Sequence, residues 1–159
     1  MSLDRAKAHL EQFGLADRIR LFNVSSATVE LAAQAVGCEP ARIAKTLSFM
    51  LPEGPALILA AGDAKIDNSK YKAQFHTKAK MLAFEDVEPL IGHGVGGVCP
   101  FGVNEGIPVW LDGSLKRFDI VYPAAGTANS AVELNLEELE RSSLAQGWLD
   151  VCKGWQEEN

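Results

Sequence analysis

Residues 43–51, Ile-Ala-Lys-Thr-Leu-Ser-Phe-Met-Leu, lead through the turn Pro-Glu-Gly-Pro at 52–55 into the apolar run Ala-Leu-Ile-Leu-Ala-Ala at 56–61. Two apolar segments joined by turn residues predict a β-hairpin. Side chains alternate between the faces of a strand, so Lys45 shares a face with Ile43, Leu47, Phe49 and Leu51. A lysine buried there needs an anionic or carbonyl partner, or it loses its proton. The alternative is a strand-end lysine whose aliphatic stem bends out to water.

Helix and strand signals continue on both sides of the hairpin. Capping residues and apolar spacing predict helices at 3–13, 29–35, 68–75, 85–91 and 136–142, with a helical turn at Pro40. Short strands are predicted at 80–82, 109–111, 119–122 and 131–134. Hairpin-length connections outnumber long helical crossovers, which argues against a doubly wound nucleotide-binding fold. We therefore expect one α+β domain over residues 1–159, with a curved, mixed β-sheet that forms a partial barrel flanked by helices.

Composition and cysteine content narrow the class of protein. Hydrophobic residues make up 47% and charged residues 23% of the chain, which is the profile of a globular protein. No apolar run is long enough to cross a bilayer and the N-terminus lacks a secretion signal, so we expect no membrane association. Cys38, Cys99 and Cys152 are far apart in sequence. This spacing favours free thiols in the reducing cytoplasm over a disulfide scaffold or a metal site.

Charge is distributed unevenly along the chain. The net charge of −6 argues against a general DNA- or RNA-binding protein. Five lysines nevertheless fall close together, at Lys65, Lys70, Lys72, Lys78 and Lys80. The cluster fits two interpretations, a contact with the phosphates of a small RNA or a solvated helix face.

A glycine-rich segment, Gly-His-Gly-Val-Gly-Gly-Val-Cys-Pro-Phe-Gly at 92–102, indicates a loop with unusual backbone freedom. Such a loop can bind phosphate or a carbonyl oxygen through its N–H groups, or it can be a long turn without a ligand. It has neither the Gly-Lys-Ser/Thr ending of a P-loop nor the dinucleotide spacing. Polar residues also follow the apolar strand at Gly62-Asp63, a usual place for the edge of a site, while Asp67 fits a helix cap.

Together these elements resemble the YbaK/prolyl-tRNA synthetase associated editing-domain family, the freestanding aminoacyl-tRNA deacylases. The resemblance runs from about residue 25 to residue 139, in the family's order and spacing. The matching stretches are Thr28-Val29-Glu30, Ile43-Ala44-Lys45-Thr46-Leu47, Gly62-Asp63, Gly96-Gly97-Val98-Cys99-Pro100-Phe101-Gly102, Val109-Trp110-Leu111-Asp112 and Ser114-Leu115.

The resemblance implies hydrolysis of the ester that joins a wrong amino acid to the 3′-terminal adenosine of a tRNA, often a tRNA for proline. It implies that Lys45 holds the terminal phosphate or carbonyl region, and that the N–H groups of Gly96 and Gly97 orient the adenosine hydroxyls or the scissile carbonyl. An aminoacyl ester is already activated, so water or a group on the substrate suffices as nucleophile, and no cofactor is expected.

By the same resemblance, the other substrate-binding residues are Thr46, Gly62, Asp63, Val98, Cys99, Pro100, Phe101 and Ser130, and the tRNA contacts are Lys65, Lys70 and Lys72. The implied partners are a mis-aminoacylated tRNA and prolyl-tRNA synthetase. The branch of the family that acts on alanine carries a late histidine, and none follows His93 here. The branch that acts on cysteine tends to carry an acidic residue where Asn129-Ser130-Ala131 stands. Alanine, cysteine, serine and threonine all stay open as the amino acid removed.

Two other classes of function fit the residues. A thiol enzyme would use Cys99 as nucleophile and His93 as base, although the six-residue separation does not enforce their contact. A non-catalytic module would bind tRNA or prolyl-tRNA synthetase without hydrolysing anything. An assay of ester hydrolysis distinguishes this non-catalytic module from a deacylase, because only the deacylase would hydrolyse the substrate.

The remaining aromatic and histidine positions give structural expectations. We expect His93 on a loop surface, His9 and His76 on helix surfaces, and Trp110 in the core or a pocket wall. Trp148 and Trp155 lie beyond the resemblance, where they either pack the C-terminal segment onto the domain or form a dimer contact. Monomer and homodimer both stay open.

Overall fold

The computed structural model describes residues 2–155. Their α-helices are α1 (Ser2–Glu11), α2 (Val29–Val36), α3 (Asn68–Phe75), α4 (Phe84–Ile91) and α5 (Leu136–Ser142). Short 3₁₀ helices lie at Ala16–Arg18, Pro40–Arg42 and Gly113–Arg117. All the predicted helices are present, with boundaries shifted by two residues at most. Within residues 2–155, none of the helices has the length and hydrophobicity that crossing a membrane requires.

Local caps explain where these helices begin and end. Thr28 caps α2 by accepting, on Oγ1, the backbone N–H three residues later (3.2 Å), and Gly37 ends α2 in the left-handed conformation. Asp67 caps α3 by accepting the N–H groups of the second and third residues that follow it. Asn135 forms a reciprocal capping box with Glu138 at the start of α5.

The strands form one four-stranded sheet and three two-stranded pairs. They are β1 (Ile19–Leu21), β2 (Ala44–Leu51), β3 (Gly54–Ala61), β4 (Lys65–Ile66), β5 (Val109–Asp112), β6 (Ile120–Val121), β7 (Ser130–Val132), β8 (Leu134–Asn135), β9 (Trp148–Leu149) and β10 (Cys152–Lys153). The main sheet has the order β2-β3-β5-β9. The hairpin β2–β3 is antiparallel, whereas β3–β5 and β5–β9 are parallel. The fold is α+β with mixed sheets, as predicted, and the sheets do not close into a barrel.

The hairpin carries the centre of the core. Residues 56–61 of β3 are all buried, because β3 is hydrogen-bonded to β2 on one edge and to β5 on the other. Phe49 of β2, Leu111 of β5 and Tyr71 of α3 belong to the same apolar cluster. Trp110 packs against this cluster and contacts the ring of Phe75 edge-on, as expected for a core or wall position.

Two strand predictions need correction. Residues 80–82 do not form a strand but a single bridge, Met81 opposite Phe49, flanked by backbone hydrogen bonds to β2. The segment predicted at 131–134 is split into β7 and β8, because β7 pairs with β1 while β8 pairs with β6. Pairing with two different strands interrupts the segment at Glu133. Sequence periodicity could not predict this, because it carries no information about pairing partners that are distant in the chain.

The C-terminal segment packs onto its own domain, which is the first of the two alternatives for Trp148 and Trp155. Strand β9 extends the main sheet beside β5, and β10 pairs with β4. The indole N–H of Trp148 donates to Glu140 (2.7 Å). The ring of Trp155 lies 5.0 Å from the guanidinium of Arg117, a cation–π contact.

Asp112 attaches this segment to the sheet. Its buried carboxylate accepts the N–H groups of Ser114 (2.9 Å) and Val151 (2.9 Å). Asp112→Ala leaves two buried donors without partners, so we expect the free energy of unfolding to fall by about 2–5 kcal/mol in urea titrations. Asp150→Ala is the matched control, since exposed Asp150 pairs only with Lys70 and its loss should change stability by less than about 1 kcal/mol. Equal effects of the two substitutions would contradict this role of Asp112.

Candidate functional site

A cavity of about 330 Å³ opens between α2, the start of β2, α4 and two loops. Five of the residues predicted from the sequence line this cavity: Lys45, Thr46, Gly96, Val98 and Ser130. Most of the remaining wall is apolar, with Ala32, Ile43 and Val87 among its residues. Gly62, Asp63, Gly97, Cys99, Pro100 and Phe101 are not part of the wall. The structure thus brings part of the predicted site together around the cavity, while the other predicted residues lie outside its wall.

Lys45 lies at the start of β2, and its ammonium is hydrogen-bonded to backbone oxygens. Nζ donates to the carbonyls of Gly62 (3.5 Å) and Ala64, in the turn that follows β3. Burial lowers the pKa of Lys45. The predicted need for a carbonyl partner is therefore met, and Lys45 is half-buried instead of extending into water. An ammonium has three hydrogens, so two carbonyl contacts leave one for a ligand.

Asp63 supports this turn instead of facing the cavity. Its carboxylate accepts hydrogen bonds from both terminal nitrogens of Arg117 in a bidentate pair, with N···O distances of 2.9 and 2.5 Å. The hydrogen bonds from Arg117 hold the pKa of Asp63 below its usual range. Asp63 thus stays ionised close to Lys45 and favours the charged ammonium. Gly62 contributes its carbonyl, which accepts from Lys45. A Cβ at this position would lie 2.1 Å from the Pro40 carbonyl oxygen and collide with it.

Hydroxyl groups provide the polar part of the cavity wall. Thr46 and Ser48 are two residues apart on β2, so their side chains leave the same face of the strand. Thr46 Oγ1 is buried and has no hydrogen-bond partner among residues 2–155. Buried hydroxyls are normally hydrogen-bonded, so Thr46 Oγ1 stands out as an unsatisfied polar atom in a residue of the cavity wall. Sequence reasoning missed Ser48, although strand alternation places it on the same face of β2 as Thr46.

Ser130 closes the cavity on the opposite side. Its Oγ accepts the N–H of Ala125 (3.2 Å) and the hydroxyl of Thr127 (2.9 Å), and donates to the Thr127 carbonyl (3.2 Å). These bonds fix the loop 123–130 and occupy the Ser130 hydroxyl. Ser130 therefore shapes the wall instead of offering a free donor. The Ser26 hydroxyl, which sequence reasoning missed, donates to the Ser130 carbonyl (3.3 Å).

The glycine-rich loop presents Gly96 to the cavity and uses Gly97 for packing. Gly96 has φ of +95°, a left-handed conformation that favours glycine. A Cβ on Gly97 would lie 2.5 Å from the backbone of Gly126, so only glycine fits between these loops. The Gly97 N–H donates to the Gly94 carbonyl (3.0 Å) and is not available to a substrate. The Gly97 N–H is therefore not the free donor expected from the sequence, and of the two glycines only Gly96 lines the cavity.

Helix α1 anchors both ends of the same loop. Arg5 donates to the Gly92 carbonyl (3.2 Å), and the N–H of Gly102 donates to His9 Nδ1 (3.0 Å). His9 Nε2 in turn donates to the Ser142 carbonyl (2.6 Å). His9 is therefore a bridge between two segments, not the helix-surface residue expected from the sequence. His76 is exposed at the end of α3, as expected.

His93 and Cys99 are buried behind the loop. His93 is fully buried and its Nε2 lies 2.6 Å from the Phe101 carbonyl, so Nε2 carries a proton and donates it. The expectation of a surface histidine is wrong, because loop glycines let the chain fold over this ring. Burial lowers the pKa of His93 and raises the pKa of Cys99 to about 12. The Cys99 sulfur is 3.5 Å from a nitrogen that already holds a proton, which leaves no base for a thiol nucleophile.

The lysine cluster does not line the cavity, although one member, Lys80, directly precedes Met81 of the cavity wall. Lys70 donates to Asp150 (2.9 Å) and to the Cys152 carbonyl (3.2 Å), and its bond to Asp150 raises its pKa. Lys70 thus holds the C-terminal segment, and its contact with tRNA stays a prediction. Lys65 and Lys72 are exposed and none of the cluster lines the cavity.

Comparison with known proteins identifies the class of site. The model of the aminoacyl-tRNA editing domain matches residues 24–142, about three quarters of the chain. The chain belongs to the aminoacyl-tRNA editing domain family. Every residue of the cavity wall falls inside the matched range. The cavity is therefore the candidate editing site, and the resemblance stated from the sequence is confirmed.

Several relatives of this editing domain are complete proteins or parts of synthetases. The chain is 49% identical over 158 residues to the uncharacterised protein YwhH of Bacillus subtilis (strain 168), covering 98% of this chain and 100% of YwhH. It is 28% identical over 95 residues to proline–tRNA ligase of Limosilactobacillus fermentum, covering 56% of this chain and 17% of the ligase. A crystal structure of a candidate trans-editing enzyme for prolyl tRNA synthetase matches with TM-score 0.87 at 31% identity, covering 96% and 98% of the two chains.

The buried thiols give a prediction that bears on the thiol-enzyme alternative. At pH 8 a thiol with a pKa of about 12 is ionised in about one molecule in ten thousand, and Cys99 and Cys152 are also shielded from solvent. Iodoacetamide should label half-buried Cys38 in the folded protein, and the other two cysteines only after unfolding, as followed by peptide mass spectrometry. Rapid labelling of Cys99 in the folded protein would instead support a thiol nucleophile.

Proposed function

We propose that this protein is a freestanding trans-editing deacylase that hydrolyses the ester bond of mis-aminoacylated tRNA in the cytoplasm. The observation that carries the proposal is the meeting of Lys45, Thr46 and Gly96 around one cavity in an editing-domain fold. At about 330 Å³, the cavity is large enough for a small aminoacyl group and the water that attacks it. The full-length match to YwhH supports a domain that acts outside a synthetase.

The arrangement supports hydrolysis without a protein nucleophile. Water attacks the ester carbonyl carbon, a C–O bond forms, and the carbonyl oxygen becomes an oxyanion. The ammonium of Lys45 and the N–H of Gly96 stabilise this charge, which is the usual largest contribution in acyl transfer. The oxyanion then re-forms the carbonyl as the bond to the ribose oxygen breaks, the ribose oxygen takes up the proton lost by the attacking water, and the products are a free amino acid and an intact tRNA.

The tRNA for proline is the proposed carrier of the ester. The sequence matches to proline–tRNA ligases and the structural match to a candidate trans-editing enzyme for prolyl tRNA synthetase support this choice. An editing protein that works on products of that synthetase has the synthetase as its natural neighbour. Prolyl-tRNA synthetase is therefore the proposed protein partner.

Serine and threonine are the amino acids that the cavity wall favours among the four considered. A hydroxyl on the bound amino acid can pair with Thr46 Oγ1, which has no partner among residues 2–155. A site with an unpaired buried polar group discriminates in favour of ligands that satisfy it. Alanine offers no such group, and a thiol is a weaker donor than a hydroxyl.

The activity is tested on tRNA for proline charged with alanine, cysteine, serine or threonine. We expect hydrolysis of at least one species and a loss of about 100-fold in rate for Lys45→Met, because the substitution removes the cation and keeps the apolar stem. The measurement is release of labelled amino acid under single-turnover conditions.

Lys7→Met is the matched control for Lys45→Met, since Lys7 is an exposed lysine of α1 that does not line the cavity. Its rate should stay within about twofold of wild type, as expected for a surface charge outside the site. Equal rates for wild type and Lys45→Met would contradict the role of Lys45. Binding of tRNA without hydrolysis of any species would favour the non-catalytic module.

The preference for a hydroxyl is tested by Thr46→Val, which keeps the shape of the side chain and removes its hydroxyl. We expect kcat/KM for the seryl or threonyl ester to fall about 3- to 10-fold, as for one neutral hydrogen bond. The alanyl ester should be unaffected within about twofold, and Thr46→Ser should restore the preference. A uniform loss for all four esters would indicate a structural role for Thr46 instead.

A further inference from the structure

Phe84 is the most exposed large apolar side chain among the described residues, with 76% of its surface accessible. It is the first residue of α4, and Val87 and Ile91 lie three and seven positions later. These positions share one face of a helix. Val87 and Ile91 are buried in the domain, so the same apolar stripe runs from the core out to Phe84. Packing within this chain gives no reason for an aromatic ring at the outer end of the stripe.

The stripe leads to the opening of the editing cavity. Val87 lines the cavity, as do Met81 and Val95, whose side chains are 55% and 54% exposed. Residues that line a cavity and are also exposed form its mouth. Phe84 stands one helical turn outward from Val87 and three residues after Met81. We call these three exposed apolar residues, Phe84, Met81 and Val95, the apolar rim; Met81 and Val95 line the cavity, and Phe84 lies outside its wall.

The rim is held in place before any ligand binds. The Met50 N–H donates to the Lys80 carbonyl (2.8 Å) and the Leu82 N–H donates to the Ser48 carbonyl (3.2 Å), so the backbone around Met81 is fixed to the edge of β2. A preformed apolar surface binds without ordering a loop.

We propose that this rim, Phe84 with Met81 and Val95, is a stacking platform for the unpaired bases at the 3′ end of the tRNA. The proposal rests on the proposed function, because an aminoacyl group inside the cavity is one ester bond away from the terminal ribose. The terminal base must then lie at the mouth, beside the rim. Unpaired bases stack on aromatic side chains, and because every base has a flat face this contact tolerates any sequence.

Charges near the rim agree with this occupant. Exposed Lys80 directly precedes Met81 and forms no ion pair among residues 2–155, so it is available to a phosphate. Glu85 and Asp86 are exposed in the first turn of α4. Their carboxylates repel phosphates, which directs the RNA backbone to the Lys80 side and leaves the bases toward Phe84.

The test is the binding of two RNA hairpins by fluorescence anisotropy, one ending in an unpaired CCA and one lacking those three nucleotides. We expect Phe84→Ala to weaken binding of the CCA hairpin about 10-fold, equivalent to about 1.4 kcal/mol, and to leave the shorter hairpin unchanged. Phe84→Tyr should bind as wild type, because a tyrosine ring stacks equally well. In deacylation, Phe84→Ala should raise KM with little change in kcat.

Leu144→Ala is the control, since Leu144 is 63% exposed and does not line the cavity. Equal binding of the two hairpins by the wild type, or wild-type binding by Phe84→Ala, overturns the platform. Loss of self-association in Phe84→Ala without any effect on RNA also overturns it and assigns the rim to a second copy of the chain. If the wild type hydrolyses the ester and Phe84→Ala has no effect, only the platform is contradicted. If binding of the CCA hairpin depends on Phe84 but no ester is hydrolysed, only the proposed deacylase activity is contradicted.

Discussion

The half-buried ammonium of Lys45 is the constraint on which the site depends. A cation leaving water must keep its hydrogen bonds, and the carbonyls of Gly62 and Ala64 supply them. This requirement fixes the turn after β3 against the start of β2. Asp63, in the same turn, pairs with Arg117, which also donates to the Trp155 carbonyl (3.3 Å). One chain of polar contacts thus links the cavity, the main sheet and the C-terminal segment.

The glycine-rich loop divides two tasks among neighbouring residues. Gly96 faces the cavity with a backbone that other residues rarely adopt, while Gly97 lets the loop 123–130 approach within van der Waals distance. Behind it, the buried ring of His93 and the anchors on α1 leave the loop little freedom. A rigid N–H donor is what stabilisation of an oxyanion needs, because the donor does not have to reorganise during the reaction.

The proposed action of an acidic protein on tRNA poses an electrostatic question. The chain carries a net charge of −6, and Lys70, one of three lysines expected to reach the tRNA, forms an ion pair with Asp150. The proposed stacking platform would resolve this question, since stacking on Phe84 does not depend on net charge. Binding would then be concentrated at the 3′ end, the part of the tRNA common to all acceptors, and selectivity would rest on the amino acid in the cavity.

The sequence by itself determined the elements whose signals are local. Helices α2, α3 and α5 have the predicted limits because Thr28, Asp67 and Asn135 cap them through hydrogen bonds to residues two or three positions away. It also determined the family and the central position of Lys45. Only the tertiary structure decided the burial of His93, the occupied N–H of Gly97 and the unpartnered hydroxyl of Thr46. Burial depends on segments that fold over a residue from far along the chain, and a hydrogen-bond donor or acceptor is free or occupied according to neighbours that periodicity does not report.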